Sequence, residues 1–461
     1  MAYLWAGVAI IAAFVSYLGL TSSKNTRPSS RKARQAKAMR EAFKSLTKQN
    51  GSTKNLLVTV NKNADTLRIS QLWIYPIKSI RGCQVSSAIL TQEGFYLDRR
   101  FMLLKDHSET PQKLENMHVT KFPSMCLFHT SIKGDDTLVV TYHSPGSKST
   151  NEADTLEIPF EPESLESLER VPVVMHSSPT SGYNMGDKYN SWFSERFGFK
   201  VVLAYWGGNP RPVLGNLPGK PANQGPRSNN AIIRVLSSVP VIGSMLEQDD
   251  GVIAFNDCAP YLVINESSVA DVSTRLPDDV EMDISKFRAN VLVTGSSATA
   301  YSEDYWAELT FNKTEKQQEA EGQAEGSKII LTGNCGRCKS LNVDYHTGES
   351  GTGRDGDVLK LLQKDRRVDL GTKYSPIFGR YGFVQKGDEG RVVSVGDEVV
   401  VSRRNKERTR FCKCSMSELL LTSCLSFFRL ARYFYLILSR DFWVSFGGFL
   451  LNIRDCLDNL A

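Results

Sequence analysis

From residue 65 onward, short β-rich segments follow one another closely: LRISQLWIYPIKSI, SSAIL, RRFMLL, DTLVVTY, TLEIPF and VPVVMH, parted by Gly, Asp, Ser and Pro turn signals. Strands this short alternate their side chains between two faces, so each must bury one face against partners, and a close succession of them implies a barrel or sandwich. KYNSWFSERFGF (188–199) interrupts as a helix before VVLAYW returns to strand. The Pro- and Gly-containing stretch 207–250 reads as a long irregular connection to a second unit. In that unit PYLVI (260–264) is predicted as a strand, and Asn265 as the cap of a helix in ESSVADVSTRL with Glu266 in its first turn and Arg275 in its last. FRANVLVTG and SKIILTG follow as strands, separated by the polar surface insertion 313–328. GDVLKLLQKDRRV (356–368) is predicted helical, and GRVVSVGDEVVVSRR (390–404) is predicted as a hairpin turning at Gly396–Asp397. The predicted fold is mainly β with minor α, in two units at residues 65–206 and 225–404.

The 461 residues suffice for two or three folded units. Nine unevenly placed cysteines do not make the disulfide framework of a small secreted domain, which points to thiols in a reducing compartment. Residues 24–54 hold ten basic side chains against Glu41 alone, a local charge of +9, so the rest of a chain of net charge +6 carries −3. A basic cluster confined to one segment, without interleaved aromatics on a folded face, argues against nucleic-acid binding.

Residues 2–20 carry no charge and, at about 1.5 Å per residue, come close to the ~30 Å apolar core of a bilayer. With no Lys or Arg before Lys24 and the basic cluster after the run, residues 1–20 are predicted as an uncleaved transmembrane anchor, with the remainder facing the cytosol. Residues 21–64 read as a basic, solvated linker near anionic headgroups. Residues 405–461 form a tail whose apolar runs are broken by Arg429, Arg432, Arg440 and Asp441 before they reach spanning length.

The densest chemical cluster is TGNCGRCKSLNVDYHTGE (332–349), in which a predicted strand ends in Cys335-Gly-Arg-Cys338. One C-x-x-C admits several readings: half of a zinc site, a redox pair, two packed cysteines, or one thiolate that binds a soft metal beside Arg337. Zinc lacks a well-spaced second pair, since Cys412 and Cys414 lie in the tail, and a thioredoxin-like pair lacks a following helix.

The cluster resembles the signature of the MOSC domain, the molybdenum cofactor sulfurase C-terminal fold: Arg337-Cys338 followed by Asp344, Thr347 and Gly348. Upstream, Tyr75-Pro76-Ile77-Lys78-Ser79, then Gly94 and Asp98-Arg99-Arg100-Phe101, resemble the MOSC N-terminal β-barrel domain of the mitochondrial amidoxime reducing component family. Phe287-Arg288-Ala289-Asn290 and Ser375-Pro376-Ile377-Phe378-Gly379-Arg380-Tyr381 match two more stretches of that family in order. The resemblance spans about residues 66–402. It departs at Gly336 and at Cys258-Ala259 beside Asp257.

The resemblance implies an N-terminal β-barrel domain followed by a MOSC β-barrel, and a molybdenum-pyranopterin (Mo-molybdopterin) cofactor with Cys338 as metal ligand and catalytic residue. Lys78, Ser79, Arg100 and Arg288 would hold its anionic phosphate, since a buried dianion requires cations and hydroxyl donors, and Arg337 would bind the cofactor beside the thiolate, lowering the thiol pKa and pairing with an anionic ligand. Asp257, Asn290 and Tyr381 would bond the pterin. The implied activity is reduction of small N-hydroxylated substrates, N–OH to N–H plus water, with electrons from cytochrome b5 and its reductase, on the outer mitochondrial membrane. An external donor agrees with a sequence that has no dinucleotide fingerprint and no C-x-x-C-H. The alternative is a carrier of the cofactor or of sulfur at Cys338 that lacks reductase turnover.

Overall fold

The computed structural model describes residues 30–49, 66–108, 113–146, 154–176, 178–209, 211–213, 215–218, 252–277, 280–313, 326–353 and 355–411. The predicted anchor 1–20, most of the 313–328 insertion and tail residues 412–461 lie outside them. No helix among the described residues is long and apolar enough to cross a membrane. The chain divides into two compact units, Met1–Ser52 and Thr53–Ala461.

In the first unit Ser30–Gln49 forms a 20-residue helix, where composition suggested only a tether. The segment contains neither Gly nor Pro and is rich in Ala, Lys, Arg and Gln, all strong helix formers. Lys37 and Glu41, one turn apart, approach to 4.0 Å.

The second unit is mainly β. Its largest sheet runs in the order Val291–Thr294, Tyr261–Asn265, Ile377–Val384, Ser327–Gly336, Trp306–Asn312, Glu398–Arg404, Leu67–Ile74 and Cys83–Val85, and it closes because Leu67–Ile74 pairs back onto Val291–Thr294. The first predicted strand of the N-terminal unit is thus built into the barrel of the second. Tyr261–Asn265 and Val291–Thr294 are parallel and buried along their whole length, as expected when a crossover helix covers the pair. That helix is Glu266–Ser273, capped as predicted by the Asn265 side chain, which accepts from the Ser267 N–H. It stops before Arg275, which turns to Asp271 at 2.6 Å and Asp365 at 2.7 Å.

A five-stranded sheet (Arg170–Met175, Ser178–Asn184, Val201–Tyr205, Phe101–Asp106, Leu114–Asn116) and a three-stranded one (Phe128–Lys133, Thr137–Tyr142, Thr155–Pro159) form the N-terminal part. The helix Asp187–Phe197 sits where predicted, ended by Gly198 in the left-handed conformation at φ 73°.

Two predicted elements are corrected. Residues 390–404 do not form a hairpin: Val392–Ser394 pairs with Ser87–Thr91, whereas Glu398–Arg404 pairs with Trp306–Asn312 and Leu67–Arg68. The Gly396–Asp397 turn is a corner between sheets, held by buried Asp397, which accepts from the Ser394 N–H and pairs with buried Lys313 at 3.1 Å. The helix predicted over 356–368 is confined to Val358–Gln363, because the Arg366 carbonyl leaves the helix to accept from the Ile377 N–H at 2.8 Å.

One carboxyl in this core works against it at neutral pH. Glu303 is fully buried, and burial, with Asp304 alongside, raises its pKa to about 7 despite a hydrogen bond from Ser268. The folded state therefore holds this proton more tightly than the unfolded chain, and stability falls as pH rises from about 4.5 to about 7 and is level above that. Glu303→Gln should gain on the order of 3 kcal/mol at pH 8 and little at pH 4. Urea unfolding at the two pH values measures the difference, and an equal gain at both would refute it.

Candidate functional site

Three chain segments are strapped together at the end of the strand Leu67–Ile74. The Lys78 N–H donates to the Phe101 carbonyl at 2.8 Å, the Phe101 N–H to Pro76 at 3.0 Å, and the Arg99 N–H to Tyr75 at 2.8 Å. Trp73 and Asn290 are tied by Trp73 N–H to the Asn290 carbonyl at 2.9 Å. Ser79, Arg99 and Arg288 all adopt left-handed backbone (φ 67°, 50° and 55°), a conformation uncommon for such residues and frequent where loops hold functional groups.

These loops crowd cations. Arg99 donates to Asp98 at 2.5 Å, to the Asn290 side-chain oxygen at 3.2 Å and to the Arg288 carbonyl at 3.2 Å. The guanidiniums of Arg99 and Arg288 both lie over the Tyr75 ring, at 4.7 and 4.4 Å. Buried Lys78 pairs with Asp257, which His176 also contacts at 3.2 Å. Burial lowers the Lys78 pKa, against the attraction of Asp257. Burial opposes ionisation of Asp257 as well, yet Lys78 and His176 outweigh it and hold the carboxylate well below its usual range. Burial, reinforced by repulsion from Arg99, also lowers the pKa of Arg288. Three cations thus face two carboxylates, buried Asp98 and exposed Asp257, and an incoming anion is the natural complement.

Beside them lies the cysteine loop. Ser327–Gly336 delivers Cys335, buried, and the loop then exposes Cys338, whose sulfur is 3.2 Å from the Ser340 hydroxyl. Burial pushes the thiols of Cys83, Cys126 and Cys258 up to about 12. Cys338 is the exposed cysteine among the five described, all of which are free. Tyr381, on the strand Ile377–Val384, sits opposite Gly333 and Leu262; burial, and then the neighbouring Cys335, raise its hydroxyl pKa well above the usual value.

The structure brings Lys78, Asp257, Arg288 and Asn290 together, but the Arg337 and Arg100 side chains are engaged elsewhere. Arg337 turns inward, donating to the Cys335 sulfur at 3.1 Å and to the Phe287 carbonyl at 2.9 Å, with its ring-stacking partner Phe287 at 5.4 Å. Arg100 turns toward Glu93 at 3.9 Å and stacks on Trp206 at 4.8 Å. Residues 96–99 form a turn with Arg99 in the left-handed conformation, and it is Arg99, not Arg100, that reaches Asn290 and the Arg288 carbonyl. Tyr75, Asp98 and His176 were also missed. Tyr75, Asp98 and Arg99 stand within the two N-terminal-domain motifs, but sequence does not reveal which of two adjacent arginines faces inward.

The donor set fits a molybdenum-pyranopterin. An exposed thiol is available for a soft metal, and a cluster of three cations facing two carboxylates is available for a phosphate.

Comparison with known proteins agrees with this geometry. Residues 66–200 match the MOSC N-terminal beta barrel domain and residues 250–400 the MOSC domain. The chain is 28% identical over 339 residues to mitochondrial amidoxime reducing component 2 of Bos taurus, covering 72% of this chain and 82% of that protein. It is 24% identical over 338 residues to mitochondrial amidoxime-reducing component 1 of Homo sapiens, with the same two coverages. Molybdenum cofactor sulfurase of Bos taurus is 22% identical over 316 residues, covering 66% of this chain and 29% of that protein. With both domains present in this order and the cysteine loop inside the second, the chain belongs to the MOSC-domain proteins.

Proposed function

We propose that this protein is a molybdenum-dependent reductase of N-hydroxylated compounds, a reading carried by the exposed Cys338 thiol and the cluster of three cations in a chain similar to amidoxime reducing components. Cys338 is the metal's protein ligand. Lys78, Arg99 and Arg288, with the Ser79 hydroxyl, hold the phosphate of the cofactor, and Asp257 and Tyr381 border the pterin. Asn290 is spent on the scaffold: its oxygen accepts from Arg99 and from the Leu262 N–H at 3.2 Å, and its amide donates to the Trp73 carbonyl at 3.2 Å. Arg337 positions the cysteine loop through Phe287, and its backbone N–H through the Pro376 carbonyl at 2.8 Å.

The bound cofactor supplies two-electron chemistry, N–OH + 2e⁻ + 2H⁺ giving N–H and H₂O. The protein's part is to fix the cofactor, keep the thiol accessible and bring in substrate. Electrons come from a cytochrome b5 type donor, and residues 1–20 anchor the protein to the outer mitochondrial membrane, facing the cytosol. Purified full-length protein should contain molybdenum and, with reduced cytochrome b5, convert benzamidoxime to benzamidine with two donor molecules oxidised per product. Molybdenum-replete protein that turns over no N-hydroxylated amidine, hydroxylamine or hydroxamic acid would replace this reading with the carrier.

A further inference from the structure

The last described segment, residues 403–411, packs against residues 368–371. The Phe411 N–H donates to both carboxylate oxygens of Asp369 at 3.0 and 3.1 Å, and the Asn334 amide bridges Asp369 at 2.9 Å and the Thr409 carbonyl at 2.7 Å. A groove between the two segments is lined by Val368, Leu370, Lys406 and Arg410. Residues 364–374 and 403–410 together contain nine basic and three acidic side chains. Of the acidic three, Asp369 is buried and Asp365 is engaged by Arg275 at 2.7 Å, leaving Glu407. Arg367, Lys373, Lys406 and Arg410 are exposed and have no ion-pair partner among the described residues.

Two of the four exposed large apolar side chains of the described structure stand in this basic field: Leu370, 65% exposed, and Tyr374, 84% exposed. An exposed aromatic and an aliphatic ringed by cations is the composition of a protein-docking surface, in which the apolar pair forms the dry centre and the charges steer approach. The field also borders the chemistry. Ser375, the residue after Tyr374, abuts Gly336, and Pro376 accepts from the Arg337 N–H, so the surface adjoins the loop that exposes Cys338.

We propose that this surface, the groove of Leu370, Lys406 and Arg410 together with the adjoining exposed residues Arg367, Lys373 and Tyr374, is where an acidic one-electron donor protein docks to reduce the site at Cys338. The proposal rests on the reductase reading, which requires two electrons per turnover. Charge complementarity selects an acidic occupant. The chain's own tail, residues 412–461, carries five basic and four acidic residues and offers no such complement.

The test uses full-length holoprotein and its triple variant Arg367→Glu/Lys373→Glu/Lys406→Glu, together with Leu370→Ala/Tyr374→Ala. Soluble cytochrome b5 is the acidic probe, and binding is measured directly by calorimetry in low and in physiological salt. The charge variant should bind at least about tenfold more weakly in low salt and lose most of its salt dependence, and the apolar variant should bind more weakly at both salts. With dithionite-reduced methyl viologen as donor, both variants should match wild type in molybdenum content and amidoxime turnover. Unchanged affinity in both variants would overturn the docking surface. So would unchanged affinity for cytochrome b5 accompanied by lost binding to vesicles containing phosphatidylserine, which would make the patch a membrane contact. Absence of viologen-driven turnover in wild type would instead remove the reductase reading, while the affinities would still decide whether an acidic protein docks here.

Discussion

Cys338→Ser is expected to remove both molybdenum and N–OH reduction, while Cys335→Ser retains both to within a few-fold. The two thiols sit three residues apart in very different surroundings. Cys338 is exposed at the end of the loop, with only the Ser340 hydroxyl beside its sulfur, so a soft metal can reach it and a serine oxygen would replace it poorly. Cys335 is buried, and its sulfur accepts from Arg337 at 3.1 Å, a bond that a serine hydroxyl can take over with a small adjustment. Because Cys338 lies at the surface, its replacement should leave the thermal unfolding of the cofactor-free protein unchanged, which separates loss of a ligand from loss of the fold. Metal analysis of the two purified variants together with amidoxime turnover gives the result. Equal molybdenum and activity in wild type and Cys338→Ser would take Cys338 out of the metal's coordination.

Much of this architecture was legible because β pattern and turn chemistry are local. The strands SKIILTG and PYLVI and the capping oxygen of Asn265 all depend on signals within a few residues, and each forms as expected. Pairing partners are not local. Val392–Ser394 and Glu398–Arg404 read as a hairpin because a Gly-Asp turn joins them, yet each gains more by completing a different sheet. The same limit governed the site. The charge types of Lys78, Asp257 and Arg288 are visible in sequence and these residues meet, whereas which of Arg99 and Arg100 reaches Arg288, and that Arg337 bonds Cys335 and Phe287, depend on how each side chain turns. The His176 contact to Asp257 spans 81 residues and leaves no trace in spacing.

Asp304→Ala should cost about 3–5 kcal/mol of stability and lower molybdenum loading as well, although Asp304 touches none of the residues assigned to the cofactor. Asp304 is completely buried and accepts two hydrogen bonds from Arg366, at 2.8 and 3.0 Å, and one from Arg408 at 2.8 Å. Arg408 is partly exposed, so after the substitution it can return to water. Arg366 is buried and lies 3.8 Å over the Tyr301 ring, so its charge would be stranded without a carboxylate, and that stranded charge is the main source of the loss. Arg366 is also an anchor for the site, since its Nε donates to the Ile377 carbonyl at 3.2 Å and its own carbonyl accepts from the Ile377 N–H. The preceding residue, Pro376, accepts from Arg337, and Gly336 is paired with Ile377, so the position of the Cys338 loop depends on this strand start. If stranded charge is the cause, Asp304→Leu/Arg366→Met should unfold at a higher denaturant concentration than Asp304→Ala, because it removes both charges. Chemical denaturation of the three proteins at pH 7 measures this. A loss below about 1 kcal/mol in Asp304→Ala, with molybdenum content unchanged, would mean that the strand start is held by its backbone pairing alone and that the ion pair contributes nothing to the site.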